Sequence, residues 1–315
     1  MEKSQIADAT PAYYSELAEF YNAIYTDDTL TIETFIEADK QRNPKYKFKR
    51  WVTIKDDRVV GTGMYFQREW FYHPQKFRIS VLVTPEHRKQ GIGSALYDQI
   101  IRGLQALNPL DLITDTYENI PAAIRFLEKR GFEEFIRDRE LRLDLGKFDI
   151  DPYSDYEERL RARGIELKSA TNLANDPNRN QKLFALDNRI SKDAPQSEYA
   201  PERTLEDYVE FAITGNSALP DGFFVAVHDD DYVGFTQFMP SGDDALYQLL
   251  TGVRGDYRRK GIALALKLRG IMYAKEMGKQ TIITNNDPSN RPMLMLNKQL
   301  GFVPQLDKIF FKKEF

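Results

Sequence analysis

Displaced by 170 residues against itself, this 315-residue chain matches its own sequence. Val83 falls on Val253, Arg88 on Arg258, Gly91 on Gly261 and Ile92 on Ile262. Ala95 falls on Ala265, Leu96 on Leu266, Ile101 on Ile271 and Thr114 on Thr284. Gly131-Phe132 falls on Gly301-Phe302, and no gap is needed over those roughly 50 positions. Further upstream Val60-Gly61 matches Val233-Gly234 at a shift of 173, so one loop differs by three residues. The matched residues include glycines and an arginine, not only apolar types. A duplicated unit near 150 residues follows, too long a period for a solenoid. The expected domains are 1–150 and 151–315.

Each half reads as the same order of elements. In the first, 11–27 and 31–42 are helical in pattern, with Tyr14, Leu17, Ala18 and Tyr21 on one face. Residues 51–55 and 59–66 are β-rich around the turn signal Asp56-Asp57, and 77–83 is a third strand. Over 91–107, Ile92, Ala95, Leu96, Ile100 and Leu104 form a helical stripe. A strand at 111–117, a helix at 121–129 ended by Gly131, and one long strand or two over 132–145 complete the half. The second half repeats this with strands at 165–168, 223–228, 232–239, 246–253, 281–285 and from 309. Its helices fall at 180–188, 205–212, 261–277 and 292–300. The charged segment 147–164, with Pro152, is the expected linker.

Composition narrows the chemistry. There is no cysteine, which excludes disulfides, a cysteine nucleophile and Cys-ligated zinc or iron–sulfur centres. The three histidines, His73, His87 and His228, stand far apart, so no metal centre is expected and a Ser-His-Asp hydrolase has few bases to choose from. Lys and Arg number 44 against 48 Asp and Glu, a net charge of −4, which argues against a nucleic-acid partner. The start, MEKSQIADAT, lacks the apolar core of a secretory signal, and no run of 18 or more residues is apolar without charges. A soluble, cytoplasmic protein without a membrane partner is expected.

The chemistry sits in two words of sequence. One runs from Val83 through Arg88, Lys89, Gln90, Gly91, Ile92, Gly93 and Ser94, and the other from Val253 through Arg258, Arg259, Lys260, Gly261, Ile262 and Ala263. Both place R-x-x-G-x-G/A between a strand and a helix. The first amides of a helix have no intrahelical partner, and the dipole adds roughly half a positive charge there. Small residues at 91, 93, 261 and 263 let a pyrophosphate approach the backbone, and Arg88 and Arg258 can bond phosphate oxygens. A P-loop would need a terminal Gly-Lys-Ser/Thr. A dinucleotide fingerprint would need a third glycine at 96, which is Leu.

R-x-x-G-x-G/A after a strand, followed some 40 residues on by a helix ending in Gly-Phe, resembles the GNAT N-acetyltransferase superfamily. Both halves carry the pattern, so the chain looks like a tandem GNAT protein, broadly similar to the mycothiol-synthase-like group. The resemblance implies an α+β fold in which each half is a mixed central sheet flanked by helices. It implies acetyl-CoA as cofactor, with the pyrophosphate on the loop after each Arg. Pantetheine would pair with a splayed strand, Val81-Leu82-Val83 in the first half and Thr251-Gly252-Val253 in the second. In such proteins the last helix begins with an Asn eleven residues before Gly-Phe. Asn290 fits, with Asn285 upstream, whereas Ile120 holds the place in the first half. The usual general acid is a Tyr four residues before that Gly, and here Leu127 and Asn297 stand there.

Both halves thus depart from the family pattern, which leaves the acid open. Asn297 lies on the apolar face of its helix, so its amide needs a partner, either backbone or an active-site group. Tyr247, on the splayed strand, is the other candidate acid, with a packed aromatic as the competing reading. The leading expectation is an acetyl-CoA-dependent N-acetyltransferase acting on a primary amine of a small molecule, with the second half catalytic. A non-catalytic acyl-CoA-sensing module is the rival. The stretch 183–210 holds Asp187, Asp193, Glu198, Glu202, Glu206, Asp207 and Glu210 against Arg189, Lys192 and Arg203. As an acceptor wall it would favour a cationic amine, whereas as a solvated helix face it would favour nothing. Oligomeric state is not legible.

Overall fold

The computed structural model describes residues 5–24, 29–67, 72–192 and 203–315. The end of the expected helix 11–27, and Asp193, Glu198 and Glu202, lie outside the described residues. Contacts divide the chain into two compact units. One comprises Met1–Thr116, Ile120–Phe135 and Ile309–Phe315, and the other Tyr117–Asn119 and Ile136–Lys308.

The first unit begins with β1 (Gln5–Asp8), which the sequence pattern did not announce. Then come α1 (Tyr14–Ile24) and α2 (Ile32–Lys40), the latter started by a Thr31–Thr34 capping box. Strands β2 (Phe48–Lys55), β3 (Arg58–Phe66) and β4 (Lys76–Val83) lead into α3 (Ile92–Leu104). β5 (Asp111–Tyr117) and α4 (Pro121–Glu128) follow. β1 to β4 pair antiparallel in order, and β5 joins β4 in parallel. Alternate residues of β2 and β3 go to opposite faces, as a pleat dictates. Trp51 and Val60 join Leu96, Ile100 and Leu104 of α3, while Val52 and Val59 join Tyr14, Leu17, Phe20 and Phe35 of the first two helices. Ile309 and Phe311, near the C-terminus, pack into the α3 side of this core.

The second unit contains β6 (Glu133–Asp144, from Ile136), α5 (Tyr156–Arg161), β7 (Ile165–Ser169), α6 (Arg179–Lys192) and α7 (Leu205–Val209), which runs on as a π turn. β8 (Phe223–His228), β9 (Asp231–Ser241), β10 (Ala245–Val253), α8 (Ile262–Glu276), β11 (Thr281–Asn286), α9 (Arg291–Gln299) and β12 (Val303–Glu314, to Lys308) follow. The strands lie in the order β6-β11-β10-β9-β8-β7, and β10–β11 is their one parallel pair. Each unit is therefore a mixed sheet flanked by helices, the fold class expected from the sequence.

Two boundaries differ from the sequence reading. The division falls after Phe135 and sends the last seven residues to the first unit, whereas 1–150 and 151–315 were expected. Segment 147–164, read from the sequence as the linker, is folded. Phe148 and Leu160 are buried, and α5 lies within it. Its charges are spaced so that Asp155 pairs Arg159 and Glu157 pairs Arg161 on the helix surface, which leaves the apolar residues to face inward.

Gly270 on α8 faces the Phe238 ring so closely that a Cβ would lie 2.2 Å from it. Phe238 is fully buried, within the core that α8 covers. Gly270→Ala is expected to lower the unfolding free energy by up to about 2 kcal/mol, an overpacking cost of ~1–3 kcal/mol being offset by the ~1 kcal/mol helix preference of Ala. A denaturant midpoint equal to or above that of the wild type would refute the clash.

Among the described residues no helix is long and apolar enough to cross a membrane.

Candidate active site

In both units the parallel pair comes apart. The β4–β5 ladder stops at Arg78, although β4 runs on to Val83 and β5 to Tyr117. The β10–β11 ladder stops at Gln248, although β10 runs on to Val253. Past the fork the facing edges lose their ladder partners, and such edges accept an extended ligand by backbone pairing. Leu82 and Val83 lie on one such edge, and Thr251, Gly252 and Val253 on the other.

The loops that follow have one backbone course. Lys89 and Gly91 have φ of 59° and 87°, and Arg259 and Gly261 have 62° and 83°. Left-handed residues alternating with ordinary ones turn successive amides toward one point, which is a concave anion site. Gly91 and Gly261 are the N-caps of α3 and α8, neither helix has a side-chain cap, and a Cβ at either glycine would meet nothing within 4 Å. Space and unsatisfied first-turn amides therefore coincide.

The arginines have a structural bond that the sequence did not announce. Arg88 Nε donates to the Val83 carbonyl at 3.0 Å and Arg258 Nε to the Val253 carbonyl at 3.2 Å, so each ties the loop back to its strand. Gln90 Nε2 donates to the Glu86 carbonyl at 3.0 Å, and the Lys260 ammonium lies 4.4 Å from the Tyr257 ring centroid. Tyr257 itself bonds His228 Nδ1 at 2.9 Å, which anchors this loop to β8. Ile92 and Ile262 are buried helix starts, Ala263 is half-buried, and Gly93 lies against Phe126. The Ser94 hydroxyl accepts from Arg130 at 2.7 Å.

The forks themselves differ. β4 pairs β3 without interruption, Tyr65 opposite Ile79 and Gly63 opposite Val81. In β10, Gln248 stands opposite Phe238 and Thr251 opposite Thr236, so Leu249 and Leu250 face one residue of β9. That is a β-bulge at the crotch of the fork. Where the first unit has apolar Ile79, the second has Gln248, buried and bonded in several directions. Its Nε2 donates to Thr236 Oγ1 at 2.9 Å, Thr236 and Thr251 share a 2.7 Å hydroxyl bond, and Thr284 Oγ1 donates to the Gln248 carbonyl at 3.0 Å. Lys267 of α8 donates from Nζ to Gln248 Oε1. Lys267 is 1% exposed, and burial alone pushes its ammonium down to about 7. No sequence pattern marked Gln248 or Lys267. Their only signal was a lysine at a position where its counterpart 170 residues earlier is Tyr97, in the apolar core.

Asn290 is the N-cap of α9, its Oδ1 accepting from the Met293 amide at 3.4 Å. Asn297 is 0% exposed, and its Nδ2 donates to Asn286 Oδ1 at 2.5 Å. Its partner is thus a side chain on β11 rather than backbone. The Oδ1 atoms of Asn297 and Asn285 are buried without a hydrogen-bond partner among the described residues. An orphaned acceptor at ~1–3 kcal/mol points to an incoming donor. An amide nitrogen cannot release a proton at neutral pH, so Asn297 can orient a group but not protonate one. Tyr247 faces the other side of β10. Burial first, then the charges of Asp138 and Glu140 on β6, raises its phenol well above the ordinary value, so it stays a donor. Those two carboxylates also escaped the sequence reading.

Of the four acids of the expected wall that lie among the described residues, two are engaged elsewhere. Asp187 is buried and paired with Arg203 at 2.5 Å, and Asp207 accepts from Thr204 in a capping box. Glu206 and Glu210 are exposed.

The model of the acetyltransferase (GNAT) family matches residues 10–132 and 183–302. The chain belongs to that family. This GNAT protein is an acyltransferase, and acetyl-CoA is its donor. It is 25% identical over 247 residues to a mycothiol acetyltransferase from Stackebrandtia nassauensis, covering 75% of the chain and 74% of the relative. A shorter match, 32% over 97 residues, covers 26% of the chain and 29% of the mycothiol acetyltransferase of Thermobifida fusca. In fold it is similar to a solved tandem GNAT protein from the clavulanic acid biosynthesis pathway, with TM-score 0.72, 18% identity, and 99% and 98% of the two chains covered. The second unit suits acetyl-CoA on its own geometry: open space at Gly261 for a pyrophosphate, a forked edge for amides, and orphaned acceptors at Asn285 and Asn297.

Proposed function

We propose that this GNAT protein moves an acetyl group to a primary amine of a small cationic molecule, by direct transfer in a ternary complex, with the second unit catalytic. The bulge at Gln248–Thr251 carries the reading: it lies at the fork in β10, whereas β4 forks without one. Acetyl-CoA supplies an activated thioester when bound. The loop at Arg259–Ala263 would hold its phosphates on backbone amides, and Thr251, Gly252 and Val253 would pair with its amide arm. With acetyl-CoA bound, attack of the amine nitrogen on the thioester carbon would break the C–S bond, with the electron pair leaving on sulfur. Tyr247, kept protonated, serves as a hydroxyl donor, and Asp138 and Glu140 beside it take up the amine proton directly or through water. Asp187 is neutralised by Arg203, so the exposed Glu206 and Glu210 of the same stretch are the acids that would favour a cationic acceptor.

Thiol release from acetyl-CoA over matched cationic and anionic primary amines tests this. Turnover is expected with cationic amines, with a specificity constant that falls as ionic strength rises. A preference for anionic amines overturns the acceptor class. Tight acetyl-CoA binding with no thiol release over the whole panel favours a sensing module instead.

A further inference from the structure

Lys267 is a buried amine that the transfer reaction does not use. Among the described residues, the groups that face it are Gln248 from β10, whose side chain continues to Thr236 on β9, and the Phe302 ring, 5.3 Å from Nζ to centroid. None is charged, and burial is what shifts its titration. A buried lysine without a carboxylate costs stability, so its presence needs a return. Its directional bond among the described residues goes to the residue immediately before the bulge. From there the chain of bonds runs Lys267, Gln248, Thr236, Thr251, and so spans both ends of the bulge. In the first unit the equivalent pair is Tyr97 and Ile79, and the strand runs straight.

We propose that Lys267 is a positioning residue for the acyl donor: by holding the Gln248 side chain it fixes the bulge, and with it the splayed backbone that pairs with the donor's amide arm. This rests on the reading that the second unit is the catalytic one. The phosphates are held elsewhere, on the loop after Arg258, so the two parts of the donor should respond separately. Protonation also matters. Below about pH 7 the amine becomes an uncompensated buried cation, which draws water toward the crotch and loosens the bulge.

The test is calorimetric binding to the full chain carrying Gly91→Glu, so that the second unit's loop alone is open. The probes are acetyl-CoA and its 3′-phospho-ADP fragment, which lacks the amide arm. Lys267→Met is expected to weaken acetyl-CoA about tenfold and to leave the fragment within about twofold. Lys267→Gln, which keeps a donor for Gln248, should lose about threefold. Gln248→Leu should match Lys267→Met, and the double variant should lose no more than either alone. In the parent chain the acetyl-CoA-to-fragment affinity ratio should fall as pH drops from 8.5 to 6, and in both Lys267 variants it should stay flat. Gly261→Glu should remove binding of both probes. If it does and Lys267→Met still binds acetyl-CoA normally, the positioning role is overturned and the reading of the second unit stands. If Gly261→Glu binds both probes as before, both are overturned. Equal losses for the fragment and for acetyl-CoA in Lys267→Met, in a folded chain, would show a general structural role and overturn the proposal as well.

Discussion

Glutamate in place of Gly261 should lower acetyl-CoA affinity by an order of magnitude or more, a cost above about 1.4 kcal/mol. Two effects contribute. Gly261 has φ of 83°, where a side chain costs roughly 1–2 kcal/mol of backbone strain. The carboxylate would also stand in the open space before α8, where phosphates should sit against the helix dipole. Because that space is open, the variant should still fold. Gly261→Ala separates the effects, since it carries the strain without the charge and should bind better than the glutamate. Gly91→Glu meets the same φ and the same open space, yet it should disturb turnover less, because β4 lacks the bulge. Calorimetry with stoichiometry, alongside thiol release, measures both. Loss of turnover in Gly91→Glu with full turnover in Gly261→Glu would assign catalysis to the first unit.

The second large effect is on stability. From pH 7 to 9.5 the wild type should become more stable as pH rises, and Lys267→Met should lose most of that slope. The folded chain binds the Lys267 proton only up to about pH 7, whereas the unfolded chain holds it to about 10.4. In that window the unfolded state binds more protons, so unfolding free energy increases with pH. Below pH 7 both states are protonated and the burial penalty is present in full. Over 2.5 pH units the relief is on the order of 3 kcal/mol, at ~1.36 kcal/mol per unit. The upper limit of 9.5 keeps clear of the tyrosines. Tyr156, Tyr208 and Tyr247 all titrate higher folded than unfolded, so above their unfolded value of about 10 they push the opposite way. Urea midpoints at pH 7 and 9.5 for the two proteins decide the matter. Parallel shifts in both would mean that Lys267 does not change its charge in this range.

Much of the fold is legible because its signals are local. The turn from strand to helix at Gly91 and Gly261 needs a left-handed residue, and glycine supplies it at the cost of a few neighbouring dihedrals. Apolar spacing over α3 places Ile92, Leu96 and Ile100 inward without help from the rest of the chain. The anion site follows from the same short words, since helix amides and dipole belong to the helix itself. Reading Arg88 and Arg258 as phosphate ligands missed their bonds to the Val83 and Val253 carbonyls, five residues back, because a charged side chain gives no sign of a carbonyl that tertiary folding brings beside it.

The sequence by itself determined the duplication, the order of strands and helices, and the two glycine loops, all fixed by periodicity and by backbone preferences within a few residues. Only the tertiary structure decided the rest. A bulge exists as a mismatch between two strands, so Leu249 and Leu250 look like any apolar pair until β9 offers one residue against them. Lys267 reads as a surface lysine on a helix until Gln248, 19 residues away, and the Phe302 ring enclose it. Burial of Phe148 and Leu160, and the passage of Ile309–Phe315 into the first unit, are likewise properties of long-range contact. Polar groups gain their meaning from what desolvates them, and desolvation is set by residues distant in the chain.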